Sequence, residues 1–172
     1  MSAAAAPEPA PPVLACDLVV EADGWGEEDG LLAHADRVAA AVLARIPQAV
    51  VSGSEWSLLL VDDAAMRGIN AEHRGLDKPT NVLSFPMQPA GSRRFGPMVG
   101  DVVVARETVA REAGEGGLSF DHHYTHMIVH GLLHLFGYDH VTPADAEIME
   151  ALEVAVLADL GIADPYADSE PA

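Results

Sequence analysis

The histidines of "HGLLHLFGYDH", residues 130 to 140, limit the possible fold of this chain more than any other feature of its sequence. His130 and His134 are four residues apart, so they share one face of a helix. The other faces of the predicted helix, about residues 119–136, are apolar, which is typical of a helix buried in a core. Burying an imidazole is unfavourable unless an acceptor, a charge or a metal ion accompanies it. The fold must therefore bury this helix and provide partners for its histidines.

The spacing of these histidines predicts a metal site. His130, His134 and His140 follow one another at intervals of four and six residues, the ligand spacing of the zinc-peptidase signature H-E-x-x-H-x-x-G-x-x-H. Gly137 matches the glycine of that signature, and as a left-handed cap it would end the helix and return His140 to the same ion. Three neutral imidazoles suit Zn²⁺ and leave its fourth position open, as in catalytic zinc sites. We therefore expect one Zn²⁺ per chain.

The glutamate of the peptidase signature is missing, because Gly131 follows the first histidine. In that motif the glutamate is the general base of peptide hydrolysis, so its absence counts against a peptidase. A residue without a side chain would instead let another segment or a substrate approach the helix closely.

The remaining histidines are predicted to have structural roles. We expect His34 and His73 to be hydrogen-bonded in the core, and His122 and His123 to be solvated at the start of the histidine helix. His126 shares the face of the predicted ligands, so its role stays open.

The composition indicates one α+β domain. With 172 residues, of which 49% are hydrophobic, the chain can bury a sizeable core. Helical and strand patterns are mixed without strict alternation, which predicts a small mixed β-sheet of about four strands packed with helices, with the zinc-ligand helix central and buried. We assign residues 1–12 to a flexible Ala/Pro-rich tail, 13–163 to a single catalytic zinc domain and 164–172 to a flexible C-terminal tail.

The single cysteine and the hydropathy pattern indicate the cellular compartment. Cys16 is the only cysteine and lies in an apolar run, so we expect it to be buried and to have no disulfide partner. No apolar stretch approaches the ~20 residues of a membrane span, and the start of the chain lacks the apolar segment of a secretory signal. We therefore expect a cytoplasmic protein that has no membrane partner.

The histidine segment resembles the signature of the YbeY family of bacterial rRNA-maturation endoribonucleases, H-G-x-L-H-L-x-G-Y-D-H. Three further stretches resemble the family in the same order: "INAEHRGLDKPTNVLSFP", "VGDVVVA" and "MEALEVAVLADLGI". The resemblance covers roughly residues 13 to 163. It implies a single-strand-specific, metal-dependent endoribonuclease for 3′-end maturation of small-subunit (16S) rRNA and for ribosome quality control, with the zinc helix packed inside a small mixed sheet.

The resemblance also implies residue roles. The three histidines of the motif match the zinc ligands of the family, and Arg74 matches the arginine that lies near the metal in an RNA-binding cleft. Asn81 stands where many members have aspartate, which puts an acid/base role at this position in doubt. Asp139 is retained, and it either orients a ligand imidazole or caps the turn after Gly137.

The charge distribution bears on an RNA substrate. The net charge of −18 argues, by itself, against a nucleic-acid partner. Residues 64–100 nevertheless contain five basic residues and two acidic ones, a net +3: Arg67, Arg74, Lys78, Arg93 and Arg94 against Glu72 and Asp77. The loop "GSRRFGP" either offers its two arginines to phosphates and Phe95 to a base, or is an ordinary solvated loop.

Three classes of function remain open. In a zinc-dependent endoribonuclease, zinc-activated water attacks the phosphodiester and Arg74 stabilises the developing charge. A minimal zinc metallopeptidase would take its base from elsewhere, such as Asp139, and a non-catalytic ribosome-assembly factor would use zinc structurally. The missing glutamate favours the endoribonuclease over the peptidase. The expected partners are rRNA and the small ribosomal subunit, reached directly or by docking through a ribosomal protein or an assembly GTPase.

Overall fold

A four-stranded mixed sheet and five helices make up residues 14–167, the part of the chain that the computed structural model describes. The strands are β1 (Leu14–Val20), β2 (Ala49–Val50), β3 (Ser54–Val61), β4 (Val82–Pro86), β5 (Arg94–Phe95) and β6 (Met98–Ala105). The helices are α1 (Glu28–Leu43), α2 (Asp63–Arg74), α3 (Arg106–Glu115), α4 (Phe120–Leu135) and α5 (Pro143–Asp159). The predicted α+β class is confirmed.

The sheet has the strand order β1-β3-β6-β4. β1, β3 and β6 are parallel, whereas β4 pairs antiparallel with β6 and forms one edge of the sheet. The two-residue strands β2 and β5 form a separate parallel pair. The sequence patterns did not predict β2 and β5, because strands of two residues have no periodicity to detect.

Side-chain and glycine caps set the ends of α2 and α5. Asp62 accepts a hydrogen bond from Ala65 N at 2.8 Å and begins α2, which Gly75 ends with φ +69°. Thr142 accepts a bond from Asp145 N, and Pro143 is the first residue of α5.

Helix α4 is the central helix of the described fold. It contacts β4 and β6 on the sheet, and also α1, α3 and α5. Most of its residues from Tyr124 onward are buried, as its nearly uniform apolar surface predicted. Gly131 lies against the sheet, where an added Cβ would be 2.7 Å from Val102 Cγ1. The predicted close approach at Gly131 is therefore made by strand β6.

The described range contains none of the predicted N-terminal tail and only residues 164–167 of the predicted C-terminal tail. Residues 1–12 lie outside it, together with Val13 and residues 168–172. Residues 164–167 form the end of the described chain, and there Tyr166 contacts Glu153 of α5. None of the helices described is long and apolar enough to cross a membrane.

Candidate metal centre and its cleft

His130, His134 and His140 form one cluster, in which a ligand nitrogen of each lies within 4.8 Å of the others. Helix α4 supplies the first two, and a Schellman turn returns the third. In that turn Tyr138 N donates to Leu133 O at 3.1 Å and Gly137 N donates to His134 O at 3.0 Å. Gly137 has φ +92°, a conformation that is easily adopted only without a Cβ. The predicted ligand set thus comes together in space.

The hydrogen bonds of His130 and His134 fix which nitrogen of each is available to an ion. His134 Nδ1 lies 2.9 Å from Tyr138 O, and a carbonyl only accepts, so Nδ1 carries the proton. His130 Nδ1 lies 2.6 Å from Glu153 Oε1 and donates to it in the same way. The two Nε2 atoms therefore both present lone pairs, at a separation of 3.1 Å. Together with His140, these lone pairs form a donor set that fits a divalent transition-metal ion.

The pKa values of the cluster support this assignment of protons. Burial raises the pKa of Glu153, but hydrogen bonds from His126, His130 and Tyr166 outweigh burial and set it at about 2. Glu153 is therefore an anion at neutral pH and can only accept. Burial, together with the nearby His130, lowers the pKa of His134 and favours the neutral imidazole that a metal binds.

Glu153 was not predicted as part of the site. Its side chain on α5 is only 1% exposed, yet it reaches His130, and its Oε2 lies 2.7 Å from His126 Nε2. His126, whose role the sequence left open, is thus a partner of Glu153. The available signal was the Met-x-x-x-Glu spacing from Met149 to Glu153, which places an acidic residue on the buried face of α5.

A cleft with a volume of about 550 Å³ adjoins the three histidines. It is lined by the end of α2, by residues of 80–90 along β4, and by the turn after α4. Of the predicted site residues, Arg74, Asn81 and Asp139 line it together with the histidines. Arg74 is exposed, and its guanidinium makes neither a hydrogen bond nor an ion pair with any residue between 14 and 167. The cleft therefore combines a metal-ligand cluster with one free cation among its described lining residues.

Asn81 and Asp139 both use their side chains to hold the backbone. Asn81 Oδ1 accepts from Val82 N at 2.7 Å, while its Nδ2 donates to the Glu112 carboxylate. Asp139 Oδ1 accepts from His140 N at 2.7 Å, which is the geometry of a turn cap. In this arrangement the imidazoles of the two ligands on α4 are oriented by Glu153 and by the Tyr138 carbonyl, and Asp139 holds the turn.

The loop arginines lie outside the cleft. Arg93 and Arg94 are exposed, and neither is among the residues that line the cleft. Of the two alternatives for this loop, stacking of Phe95 on a base does not fit the structure, because its ring is 1% exposed and packs edge-on against Phe136 with a centroid distance of 5.0 Å. Alternation along β5 points neighbouring side chains to opposite sides, which buries Phe95 and exposes Arg94.

The environments predicted for the other histidines are confirmed only in part. His34 is hydrogen-bonded as predicted, with Nε2 2.8 Å from Thr125 Oγ1. His73 was expected in the core but is exposed and rests edge-on against Phe85. His122 is exposed as predicted, whereas His123 is largely buried, with Nε2 2.7 Å from Glu112 Oε2.

Cys16 is half-buried, and burial raises the pKa of its thiol to about 12. The thiol is therefore protonated and unreactive at neutral pH, in agreement with the predicted packing role.

The fold and the cleft define a class of protein in which a buried helix holds histidines that could bind a metal ion beside an open groove. A family model described as "Endoribonuclease YbeY" matches residues 28–161. The chain belongs to the YbeY family.

Individual relatives support the same assignment. The chain is 54% identical over 153 residues to the "Endoribonuclease YbeY" of Rhizobium etli strain CIAT 652, with 86% of this chain and 90% of the relative covered. It is 52% identical over 158 residues to that of Rhizobium meliloti strain 1021, with coverages of 88% and 94%. The solution structure of TM1509 from Thermotoga maritima aligns with a TM-score of 0.54 at 24% identity, over 92% of this chain and 98% of that one. The likeness to TM1509 shows a shared fold.

Proposed function

We propose that this chain is a metal-dependent endoribonuclease that acts in rRNA maturation, with Zn²⁺ held by His130, His134 and His140. The observation that carries the proposal is the pair of Nε2 lone pairs, 3.1 Å apart, in a cleft that also contains the unpaired Arg74. Membership of a family whose relatives are named endoribonucleases supports the reaction class.

The side chains of the cleft have complementary tasks in this proposal. When bound, zinc supplies a water of lowered pKa and polarises a phosphoryl oxygen. His130 and His134 would hold the ion through their Nε2 atoms, because the proton of each ring is on Nδ1. Arg74 offers a planar fork of donors to the phosphate, where negative charge develops during cleavage. Because Arg74 has no partner among the described residues, it loses no existing ion pair when it binds a phosphate.

The position of Gly131 argues against the metallopeptidase. This residue faces Val102 of the sheet and Ser84 of β4, so a glutamate side chain could not fit there without displacing the sheet. The glutamate base of the peptidase motif is therefore excluded at position 131 by packing as well as by sequence. An assembly factor with purely structural zinc would not need the open cleft beside the ligands.

The proposal extends to the RNA substrate and to the cellular role. We propose cleavage of single-stranded RNA during 3′-end maturation of 16S rRNA and in ribosome quality control, in the cytoplasm. Arg67 is already paired with Asp77 at 2.7 and 2.9 Å, which leaves Arg74 as the cation of the cleft in a chain of net charge −18. Weak electrostatic attraction to RNA favours docking on the small subunit through a ribosomal protein or an assembly GTPase.

The test compares Arg74→Ala with Arg67→Ala, an exposed arginine on the same helix that does not line the cleft. Zinc-loaded protein should cut single-stranded RNA and leave a casein-like substrate intact. Arg74→Ala should reduce cleavage by about 10²–10³-fold, the usual effect of removing a donor to a developing charge, and should retain zinc. Arg67→Ala should remain active. Peptide hydrolysis that spares RNA would replace this proposal with the metallopeptidase.

A further inference from the structure

Glu153 connects a predicted metal ligand to the end of the described chain. Its buried carboxylate lies between α5 and α4, with Oε1 2.6 Å from His130 Nδ1. Oε2 lies 2.7 Å from His126 Nε2 and also accepts a hydrogen bond from the Tyr166 hydroxyl. One carboxylate thus receives three donors, and only one of them belongs to the ligand cluster.

We propose that Glu153 and Tyr166 are positioning residues of the metal site: Glu153 fixes His130 in the tautomer whose Nε2 faces the ion, and Tyr166 holds the Glu153 carboxylate in the orientation that does so. The inference rests on the metal site of the proposed function. It adds two residues, from α5 and from the segment 164–167, that the ligand motif does not contain.

The Glu153 carboxylate determines where its neighbours carry their protons. A carboxylate has no proton to give, so each of its three neighbours must be the donor. His130 therefore carries its proton on Nδ1 and keeps the lone pair on Nε2. His126 carries its proton on Nε2, which removes that nitrogen from metal binding although its ring lies one turn before His130. The same carboxylate thereby selects the histidine that can bind the ion and disqualifies its neighbour.

The two oxygens of Glu153 have different neighbours. Oε1 is bonded by His130, whereas Oε2 is bonded by His126 and Tyr166. Two anchors on Oε2 prevent the carboxylate from rotating, and rotation would move Oε1 away from the ligand imidazole. Side chains that orient ligands in this way typically contribute 10–100-fold to metal affinity.

Tyr166 is itself held in place from two sides. Its backbone N donates to Asp164 Oδ1 at 2.8 Å within the turn that follows α5. Its ring stands edge-on to the His126 ring, with a centroid distance of 5.6 Å and an angle of 88°. Tyr166, which lies within the predicted C-terminal tail, thus contributes a hydroxyl that lies one carboxylate away from His130.

The experiment compares Glu153→Gln and Tyr166→Phe with wild type and with Glu150→Gln, an exposed glutamate three residues earlier on α5. Zinc affinity is measured by competition with a chelator, and the His130 tautomer is read from imidazole ¹⁵N shifts of the metal-free protein. In Glu153→Gln the amide places a donor against His126 or His130, so we expect a roughly 10–100-fold loss of affinity and a shifted tautomer. Tyr166→Phe should lose less zinc affinity than Glu153→Gln, and Glu150→Gln should have the zinc affinity and the His130 tautomer of wild type.

If Glu153 and Tyr166 had purely structural roles, their replacement would lower the stability of the protein without changing the zinc affinity or the His130 tautomer. Folded Glu153→Gln with wild-type affinity and tautomer would overturn the inference. If Glu153→Gln does not fold, Tyr166→Phe decides, because it removes only one hydroxyl, and wild-type zinc affinity in that variant would overturn it. Failure of RNA cleavage leaves these affinities unaffected, whereas wild-type protein that binds no zinc would remove the metal site on which both proposals rest.

Discussion

The ligand motif of this chain lacks the glutamate of the zinc-peptidase motif, and Gly131 occupies that position. Its Cα faces the sheet, and any Cβ would stand 2.7 Å from Val102 Cγ1, well inside the usual carbon–carbon contact of about 3.5–4.0 Å. The glycine therefore allows α4 to pack directly on β6. The packing brings His130 and His134 to the edge of the sheet, where the cleft opens beside β4.

Gly131→Ala should destabilise the protein. The added methyl group overpacks the interface between α4 and β6, and overpacking lowers the free energy of unfolding by about 1–3 kcal/mol. Gly68→Ala is the matched control, because Gly68 is also helical but has open space around its Cβ position. Gly68→Ala should raise the free energy of unfolding by up to ~1 kcal/mol through helix propensity. Urea denaturation of both variants measures the difference, and an equally tolerated Gly131→Ala would contradict the packing argument.

At the scale of elements, α4 and its turn show which parts of the site the sequence could predict. The helix, the glycine turn and the three ligands follow from short spacings, because residues four apart share a helix face and a left-handed glycine reverses the chain. Glu153 and Tyr166 could not be found in this way, since Glu153 reaches His130 only through the packing of α5 against α4, and Tyr166 contacts Glu153 from the turn after α5. Hydrogen-bond partners from distant segments leave no periodic signal.

The environments of His123 and Phe95 differ from the sequence-based expectations for the same reason. His123 was expected to be solvated because it begins a helix, but α3 packs against α4 and brings Glu112 within 2.7 Å. Phe95 was placed in the loop "GSRRFGP", yet the short pairing of β2 with β5 turns its ring into the core. In both cases tertiary contacts decided the outcome, and the neighbouring sequence gave no information about them.

Zinc should stabilise the end of α4 and the turn that follows it. An ion that binds only the folded chain raises the free energy of unfolding by about 4 kcal/mol when its free concentration is about 1,000 times the Kd. His134→Ala removes a ligand and should abolish the zinc-dependent rise in Tm. His122→Ala, an exposed histidine on the same helix outside the cluster, should keep it. Thermal unfolding with and without zinc gives the measurement, and a rise that persists in His134→Ala would remove this residue from the ligand set.

At the scale of the whole molecule, the sequence predicted a mixed sheet of about four strands, but it did not predict the order of the strands. β4 turns antiparallel at the edge, and its residues line the cleft together with α2 and the turn after α4. Strand order depends on which apolar segments pair over long distances, and the apolar patterns of the strands are too similar to specify it. The net charge of −18, in contrast, can be read from the sequence, whereas only the structure shows that Arg74 is an unpaired arginine in the described cleft.

RNA binding by the isolated protein should depend only weakly on salt. Each phosphate neutralised on a single strand contributes a slope of about −0.7 to the plot of log K against log salt concentration. With Arg74 in the cleft and Arg93 and Arg94 outside it, we expect a slope no steeper than roughly −2. Fluorescence anisotropy with a labelled single-stranded RNA measures the slope. A much steeper slope would show that a larger basic surface binds the RNA.

The central claim is that RNA cleavage depends on the ion held by the three histidines. The most direct measurement is cleavage of a single-stranded rRNA fragment by one preparation in three states: as purified without chelator, after removal of metal, and after addition of one equivalent of Zn²⁺, with metal content determined by elemental analysis. We expect about one zinc per chain as purified, loss of cleavage with the metal, and recovery on stoichiometric reloading. Full cleavage by metal-free protein would contradict the account.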